Sequence, residues 1–323
     1  TQFDYHPRDH IVLKLDILGH DDPTMIKMLE EYITSDALPN EYNGENPFVA
    51  TEIPLDDRRV LSLFHDTSAL GIKPEDIEGC KIGSLGIPEF GTDFTIQMVQ
   101  DANPQTLSDL IRLSGLSHGT DVWLGNAQEL IKTGKAVLST CICCRDDIMV
   151  YLINKGMDSS LAFTIMESVR KGKGLKPEWE EAMKENDVPD WYMDSCKKIK
   201  YMFPKAHAAA YVMMAYRIAY CKINYPLAYY GAYFSIRADA FSYELMCQGK
   251  DKLNYYMKDY KRRADDLTNK EQDTLKDMRL VQEMYARGLE FLPLDLYQAR
   301  AKQFRIIDGK LMPSLSSIDG LGG

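Results

Sequence analysis

Between about residues 55 and 287 one helical pattern follows another, and the segments that read as strands are confined to the two ends of the chain. Asp56-Asp57 precede Val60, Leu61, Leu63 and Phe64, and Thr106 with Asp109 predicts a capping box ahead of Leu107, Leu110, Ile111 and Leu113. Asp146 leads into the apolar run Ile148–Leu152. Ser159 leads into Leu161, Phe163, Ile165, Met166 and Val169, a helix that Gly172 closes. Pro177 and Pro189 each read as the start of a helix. A long apolar helix covers about 206–224 and stops before Pro226, and charged helices follow at about 251–267 and 270–287. The fold class is therefore mostly α with a small α/β part.

The strand-like ends differ from each other. Ile11, Val12, Leu13, Leu15, Ile17 and Leu18 form an apolar strand interrupted by Lys14 and Asp16 and ended by Gly19-His20. Asp22 then reads as an N-cap with Pro23 at the first helical position, before the stripe Met25, Ile26, Met28, Leu29 and Ile33. Residues 35–54 read as an irregular connection. At the far end Phe291–Leu296 and Phe304–Ile307 read as strands, with Asp308-Gly309 as a hairpin turn. No internal repeat or low-complexity tract is visible. The chain stops on Ile318-Asp319-Gly320-Leu321-Gly322-Gly323, inside what reads as a further motif, so a fragment is expected.

Composition narrows the classes. A chain of 323 residues predicts two or three compact units, and 45% apolar residues are ample for buried cores. No apolar run approaches the ~18–20 residues that cross a bilayer, and Thr1–Tyr5 lacks the features of a secretory signal. A soluble cytoplasmic protein with no membrane partner is the expectation. Seven cysteines, an odd number, form no disulfide framework. Cys141, Cys143 and Cys144 lack zinc-knuckle spacing, which predicts reduced, structural thiols. A net charge of −10 argues against a basic DNA-coating protein, though it leaves room for a local basic site.

Four places carry candidate chemistry. A carboxylate on an apolar strand, Asp16, is costly to bury unless paired or metal-bound. It either caps a turn or pairs with Lys14, or it serves a two-metal phosphoryl-transfer site. Arg170-Lys171-Gly172-Lys173-Gly174 at a helix C-terminus either complements the helix dipole or clamps a triphosphate. It is not a Walker loop, because its glycines, lysine and hydroxyl come in the wrong order. In Phe203–Tyr211 a lysine, Lys205, opposes the dipole at a helix start, while His207 and Tyr211 share one helix face. That pair is either core or a nucleotide contact. Leu113–Trp123, with Ser117 and His118, reads as a loop after a helix, suited to phosphate or base contacts or simply a connection. Gly320-Leu321-Gly322 resembles the hairpin of a helix-hairpin-helix, whose amides hold a DNA phosphate.

These segments together resemble the bacterial C-family replicative DNA polymerases, most closely the PolC-type alpha subunit of DNA polymerase III. The resemblance rests on six ordered motifs: Lys14–Pro23, Leu85–Thr92, Ser117–Ala127, Arg145–Met149, Ser168–Gly174 and Phe203–Tyr211. It runs over essentially the whole chain.

The resemblance implies the C-terminal part of a polymerase beta-like nucleotidyltransferase palm (1–50), a large helical fingers domain (51–287), and a β-rich segment leading into an incomplete helix-hairpin-helix (288–323). It implies that Asp16 is the third palm carboxylate, joining two aspartates of an upstream strand to hold two magnesium ions. Arg170, Lys171, Lys173, Lys205, His207 and Tyr211 would meet the incoming nucleotide, and Ser117, His118, Gly320 and Gly322 would meet DNA. The implied activity is transfer of deoxynucleotides from dNTP to a primer 3′-hydroxyl on primer-template DNA. Sliding-clamp and replisome partners would bind regions outside this chain. The upstream Asp-x-Asp, exonuclease and zinc-bearing regions are absent from it, so the fragment alone is expected to be inactive. The alternative is a non-catalytic DNA-binding or scaffolding module derived from such a polymerase.

Overall fold

The computed structural model describes residues 19–35 and 47–321. The expected strand over 11–18 with Asp16, most of the 35–54 connection, and Gly322 lie outside the described residues. Helices succeed one another in chain order: α1 (Asp21–Thr34), α2 (Arg58–Ser62), α3 (Asp93–Ala102), α4 (Leu107–His118), α5 (Gln128–Lys132), α6 (Arg145–Asn154) and α7 (Ser159–Arg170). Then come α8 (Pro177–Glu185), α9 (Asp190–Lys198), α10 (Lys205–Asn224), α11 (Pro226–Ile236), α12 (Tyr243–Met246), α13 (Lys250–Arg262) and α14 (Asn269–Ala286). An antiparallel hairpin closes the chain, β1 (Arg305–Ile307) with β2 (Lys310–Met312), registered Ile306 to Leu311. Its turn residues Asp308 and Gly309 both have positive φ, 48° and 72°, as a two-residue primed turn requires.

The axis of the fold is α10. Helices α1, α2, α4 and α11 all pack on it. It buries Ala208, Val212, Ala215, Tyr216, Ile218, Ala219, Cys221 and Ile223, and the small alanines let neighbours approach closely. In α11 every residue from Leu227 to Phe234 is buried, so it is sheathed by protein on all sides. Each fully buried large apolar side chain contributes about 1.5–3 kcal/mol relative to exposure. Among the described residues, no helix is long and apolar enough to cross a membrane.

One buried charge organises the lower end of α10. The Lys222 ammonium, fully buried, donates to Gly83 O at 2.8 Å and Leu85 O at 2.6 Å, and pairs with Glu283 Oε1 of α14 at 2.8 Å. Burial lowers its pKa, and the Glu283 carboxylate opposes that. Tyr230 Oη donates to the same carboxylate at 2.6 Å. With three partners around it the ammonium has none of its donors idle, the condition under which a buried ion is tolerated. The outcome is a fixed position for the Gly83–Leu85 strap.

Three local expectations are corrected. The N-cap of α1 is His20, whose Nδ1 accepts the Asp22 N–H at 3.2 Å. Asp22 lies inside the first turn instead, fully buried, with Oδ1 accepting from Arg237 Nη1 at 2.8 Å. Burial raises its carboxyl pKa, while His20 and Arg237 act against that rise. Second, Leu113–His118 is not a loop: α4 continues through it and buries Leu113, Ser114, Gly115 and Leu116. Glycine suits that helix because a Cβ on Gly115 would stand 2.5 Å from Cys143 O, where the segment before α6 crosses. Third, Phe291–Leu296 forms no strand. Phe291 makes only an isolated bridge to Leu311, and Pro293 has no N–H to extend a ladder.

Candidate functional site

The segment Lys200–Phe203, between α9 and α10, is where separate parts of the sequence meet. Thr120 N–H donates to Tyr201 O at 2.9 Å and Lys200 N–H to Thr120 O at 3.0 Å, tying it to the end of α4. Met202 N–H donates to Arg170 O at 3.3 Å, tying it to the end of α7, and Arg145 N–H donates to Phe203 O at 3.1 Å, tying it to the start of α6. Gly172, at φ +71°, lies so close that a Cβ there would stand 2.6 Å from Lys200 O. Three of the motifs read from sequence, 117–127, 145–149 and 168–174, thus converge on the entry to the fourth.

On the near face of α10 an aromatic row runs from α1 to α4. His20 and Tyr211 have ring centroids 4.7 Å apart, Tyr211 and His207 4.3 Å, His207 and Phe203 4.9 Å, and Phe203 and His118 5.2 Å. Tyr201 adds an exposed ring 5.6 Å from Phe203. Burial lowers the His207 pKa, with the neighbouring His118 acting in the same direction. Both effects favour the neutral imidazole, which donates one hydrogen bond, over the charged one.

His118 sits in the last turn of α4. Its Nδ1–H donates to Ser114 O at 2.7 Å, and its Nε2 lies 3.1 Å from Glu89 Oε2. Ser114 Oγ donates to the same Glu89 oxygen at 3.1 Å, and Ser117 Oγ lies 3.2 Å from His118 Nδ1. Glu89 is held with φ +70°, uncommon for a residue with a side chain. It belongs to the Leu85–Thr92 turn that Lys222 anchors. A cleft of about 770 Å3 opens beside this pair, between that turn and Arg237, Lys276 and Arg279.

The cations take different settings. Arg170 grips Glu167 one turn back in α7 through two contacts, Nε to Oε1 and Nη2 to Oε2, the latter at 2.8 Å. Lys171 Nζ reaches the same Oε2 at 2.9 Å. The hydrogen bonds from Arg170 hold the Glu167 carboxyl down to about 2, with Lys171 adding to the effect. Lys173 is exposed in the following turn. Lys205, the first residue of α10, donates its N–H to Asp146 Oδ2 at 2.7 Å, and its exposed Nζ lies 3.8 Å from Asp147 Oδ1. Beside it a cleft of about 310 Å3 is lined by Arg112, Asp146, Asp147 and Tyr192, whose buried Oη has no hydrogen-bond partner among the described residues.

The structure therefore gathers Ser117, His118, His207 and Tyr211 into one row. It attaches Arg170, Lys171 and Lys205 to the same backbone hub. Gly320 has a different neighbourhood, the turn after Asp319, which accepts from Ser242 Oγ at 2.6 Å. Sequence reasoning assigned no role to His20, Glu89 or Glu167. Glu89 had a signal, its place in the Leu85–Thr92 motif, and Glu167 had its spacing three and four residues before two cations. Among the described residues no group of three or more His, Cys, Asp or Glu could hold a metal. The described residues thus supply no magnesium site, and Asp16 lies outside them.

Residues 22–187 match the family model described as the bacterial DNA polymerase III alpha subunit finger domain. The chain belongs to that family. Its curated relatives include "DNA polymerase III PolC-type" of Bacillus subtilis (strain 168), 54% identical over 322 residues, covering 100% of this chain and 21% of the relative. The same-named proteins of Oceanobacillus iheyensis and Staphylococcus aureus (strain MW2) are 51% and 52% identical over 322 residues, again covering all of this chain but 22% and 21% of theirs. This fingers chain spans about a fifth of the length of those relatives. The mostly helical architecture agrees with a fingers domain.

Proposed function

We propose that this chain supplies the fingers, and the rear edge of the palm, to a DNA-directed DNA polymerase of bacterial chromosome replication. The observation that carries the reading is the convergence on Lys200–Phe203. It puts the cations at the ends of α7 and α10 on one backbone hub with an aromatic row. Arg170, Lys171, Lys173 and Lys205 meet the dNTP triphosphate, where arginine binds phosphate oxygens through its planar fork and lysine acts as a point charge. His207 donates to the nucleotide in its neutral form, and Tyr211 lines the pocket of the nascent base pair. Ser117 and His118, beside the 770 Å3 cleft, contact template DNA, as do Gly320 and Gly322 further along.

In the reaction the primer 3′-hydroxyl loses its proton to water as its oxygen bonds to the α-phosphorus, the α–β phosphoanhydride breaks and pyrophosphate leaves. Two magnesium ions would lower the energy of the attacking and leaving oxygens, with Asp16 among their ligands. The fingers residues neutralise the triphosphate, exclude water and orient the base. The enzyme acts in the cytoplasm on primer-template DNA, with clamp and replisome contacts made by other regions.

The test uses the full-length polymerase. Arg170→Ala should weaken dNTP use about tenfold or more, the scale of one lost charge-assisted phosphate contact, and leave primer-template binding within about twofold. Equal losses in nucleotide use and in duplex anisotropy titrations would place Arg170 on DNA instead. Asp16→Asn should abolish magnesium-dependent primer extension; unchanged extension would remove its metal role.

A further inference from the structure

We infer that Glu167 is a positioning residue for the triphosphate: it aims the Arg170 guanidinium and spaces the Lys171 ammonium from it. The inference rests on the proposed triphosphate role of Arg170. A free arginine at a helix end samples many rotamers, and ordering it on binding costs affinity. Here the ordering is done beforehand. Glu167 takes the Nε–Nη2 edge of the guanidinium with both carboxylate oxygens. Nη1 and the outer Nη2 proton then remain for a second planar acceptor, and among the described residues Nη1 has no partner. The guanidinium fork can accept a carboxylate on one edge and a phosphate on the other at the same time.

Lys171 is anchored to the same carboxylate oxygen at 2.9 Å, which leaves two of its three protons for phosphate. The backbone joins in this arrangement. Arg170 O accepts from Met202 N–H, and Gly172 packs against Lys200, so the guanidinium is referenced to the segment that carries Phe203 and His207. The opposite possibility is that Glu167 competes with the triphosphate and must be displaced. The geometry favours aiming, because binding on the open edge needs no bond in the structure to break.

The experiment measures kcat and KM for dNTP incorporation by the full-length polymerase on a fixed primer-template. The variants are Glu167→Ala, Glu167→Gln, Arg170→Ala and the Glu167→Ala/Arg170→Ala double, each checked for native circular dichroism. Glu167→Ala should raise KM about tenfold with kcat changed less than about threefold. Glu167→Gln, which keeps one acceptor, should fall between it and the parent. The double variant should lose clearly less than the two single losses combined, because Glu167 acts chiefly through Arg170 and only in part through Lys171. A KM that falls or stays unchanged in Glu167→Ala overturns the inference, and so does an additive double variant. Unchanged KM in Arg170→Ala overturns the underlying triphosphate reading instead, which keeps the two failures apart.

Discussion

At the scale of single residues, the two most informative side chains are charges whose partners lie elsewhere in the sequence. Lys222 joins residues from two distant stretches, Gly83 and Leu85 on one side and Glu283 on the other. Replacing it with methionine leaves the buried Glu283 carboxylate without its cation and removes the ammonium donor from Gly83 O, while Leu85 O keeps the Tyr229 hydroxyl at 3.3 Å. Lys222→Met should lose about 3–5 kcal/mol of stability in urea titration. The double variant with Glu283→Leu should regain part of that loss, and a fully stable single variant would show that the buried pair is dispensable. None of this was legible in the sequence, where Lys222 is one cation in an apolar helix. The Glu167 pair was visible as spacing, but spacing could not tell a surface pair of small value from a bidentate grip.

At the scale of elements, the sequence was most legible where chemistry is local. The α4 capping box of Thr106 and Asp109, the Pro177 start of α8, and the Asp308-Gly309 hairpin stand where the pattern places them. Misreadings arose where tertiary packing overrides a local signal. Ser114 and Gly115 look like loop residues, but α4 keeps both: Ser114 donates to Glu89, and at Gly115 the Cys143 backbone crosses too close for a larger side chain. The aromatic row is intermediate: His207 and Tyr211 follow from helical spacing, whereas His20 and His118 arrive from other elements. The strand of Asp16 lies outside the described residues, so its reading still rests on the resemblance.

The junction of α14 with the residues after α11 carries a pH-dependent prediction. Burial pushes the Asp277 carboxyl up to about 7, with Asp239 and Asp273 adding to the rise and the Ala240 N–H and Lys276 opposing it. The folded chain thus holds this proton more tightly than the unfolded one, whose value is near 3.8. The contribution of this group to stability should be full below about pH 4, fall as pH rises from about 4 to about 7, and be lost above that. Asp277→Asn keeps an acceptor for Ala240 N–H and removes the charge. It should flatten the profile and stabilise the chain at pH 8, by roughly 4 kcal/mol at most. Urea titrations at pH 5 and pH 8 check this, and an unaltered profile would assign the pH dependence to other groups.

At the scale of the whole molecule, the seven cysteines are all free thiols, as their irregular spacing suggested. Burial pushes Cys141 up to about 11 and Cys144 and Cys196 up to about 12, and raises Cys143 well above the usual range. Thiolate is the reactive form, so these four should stay inert toward a disulfide reagent at pH 8 in the native state. All seven should titrate after denaturation. Rapid native reaction at Cys143 would mean that the Leu138–Asp147 region opens far more readily than its packing implies.

The 20 residues of α10 span about 30 Å, and the molecule uses both of its ends. One end presents Lys205 and His207; the other drives Lys222 into the strap that leads to Glu89, and Glu89 returns through His118 to the rings beside His207. The path is a closed circuit of stiff members, much like a braced truss. Each joint in that circuit is a contact already formed, so a shift of Lys222 or of Glu89 is felt at both ends of α10.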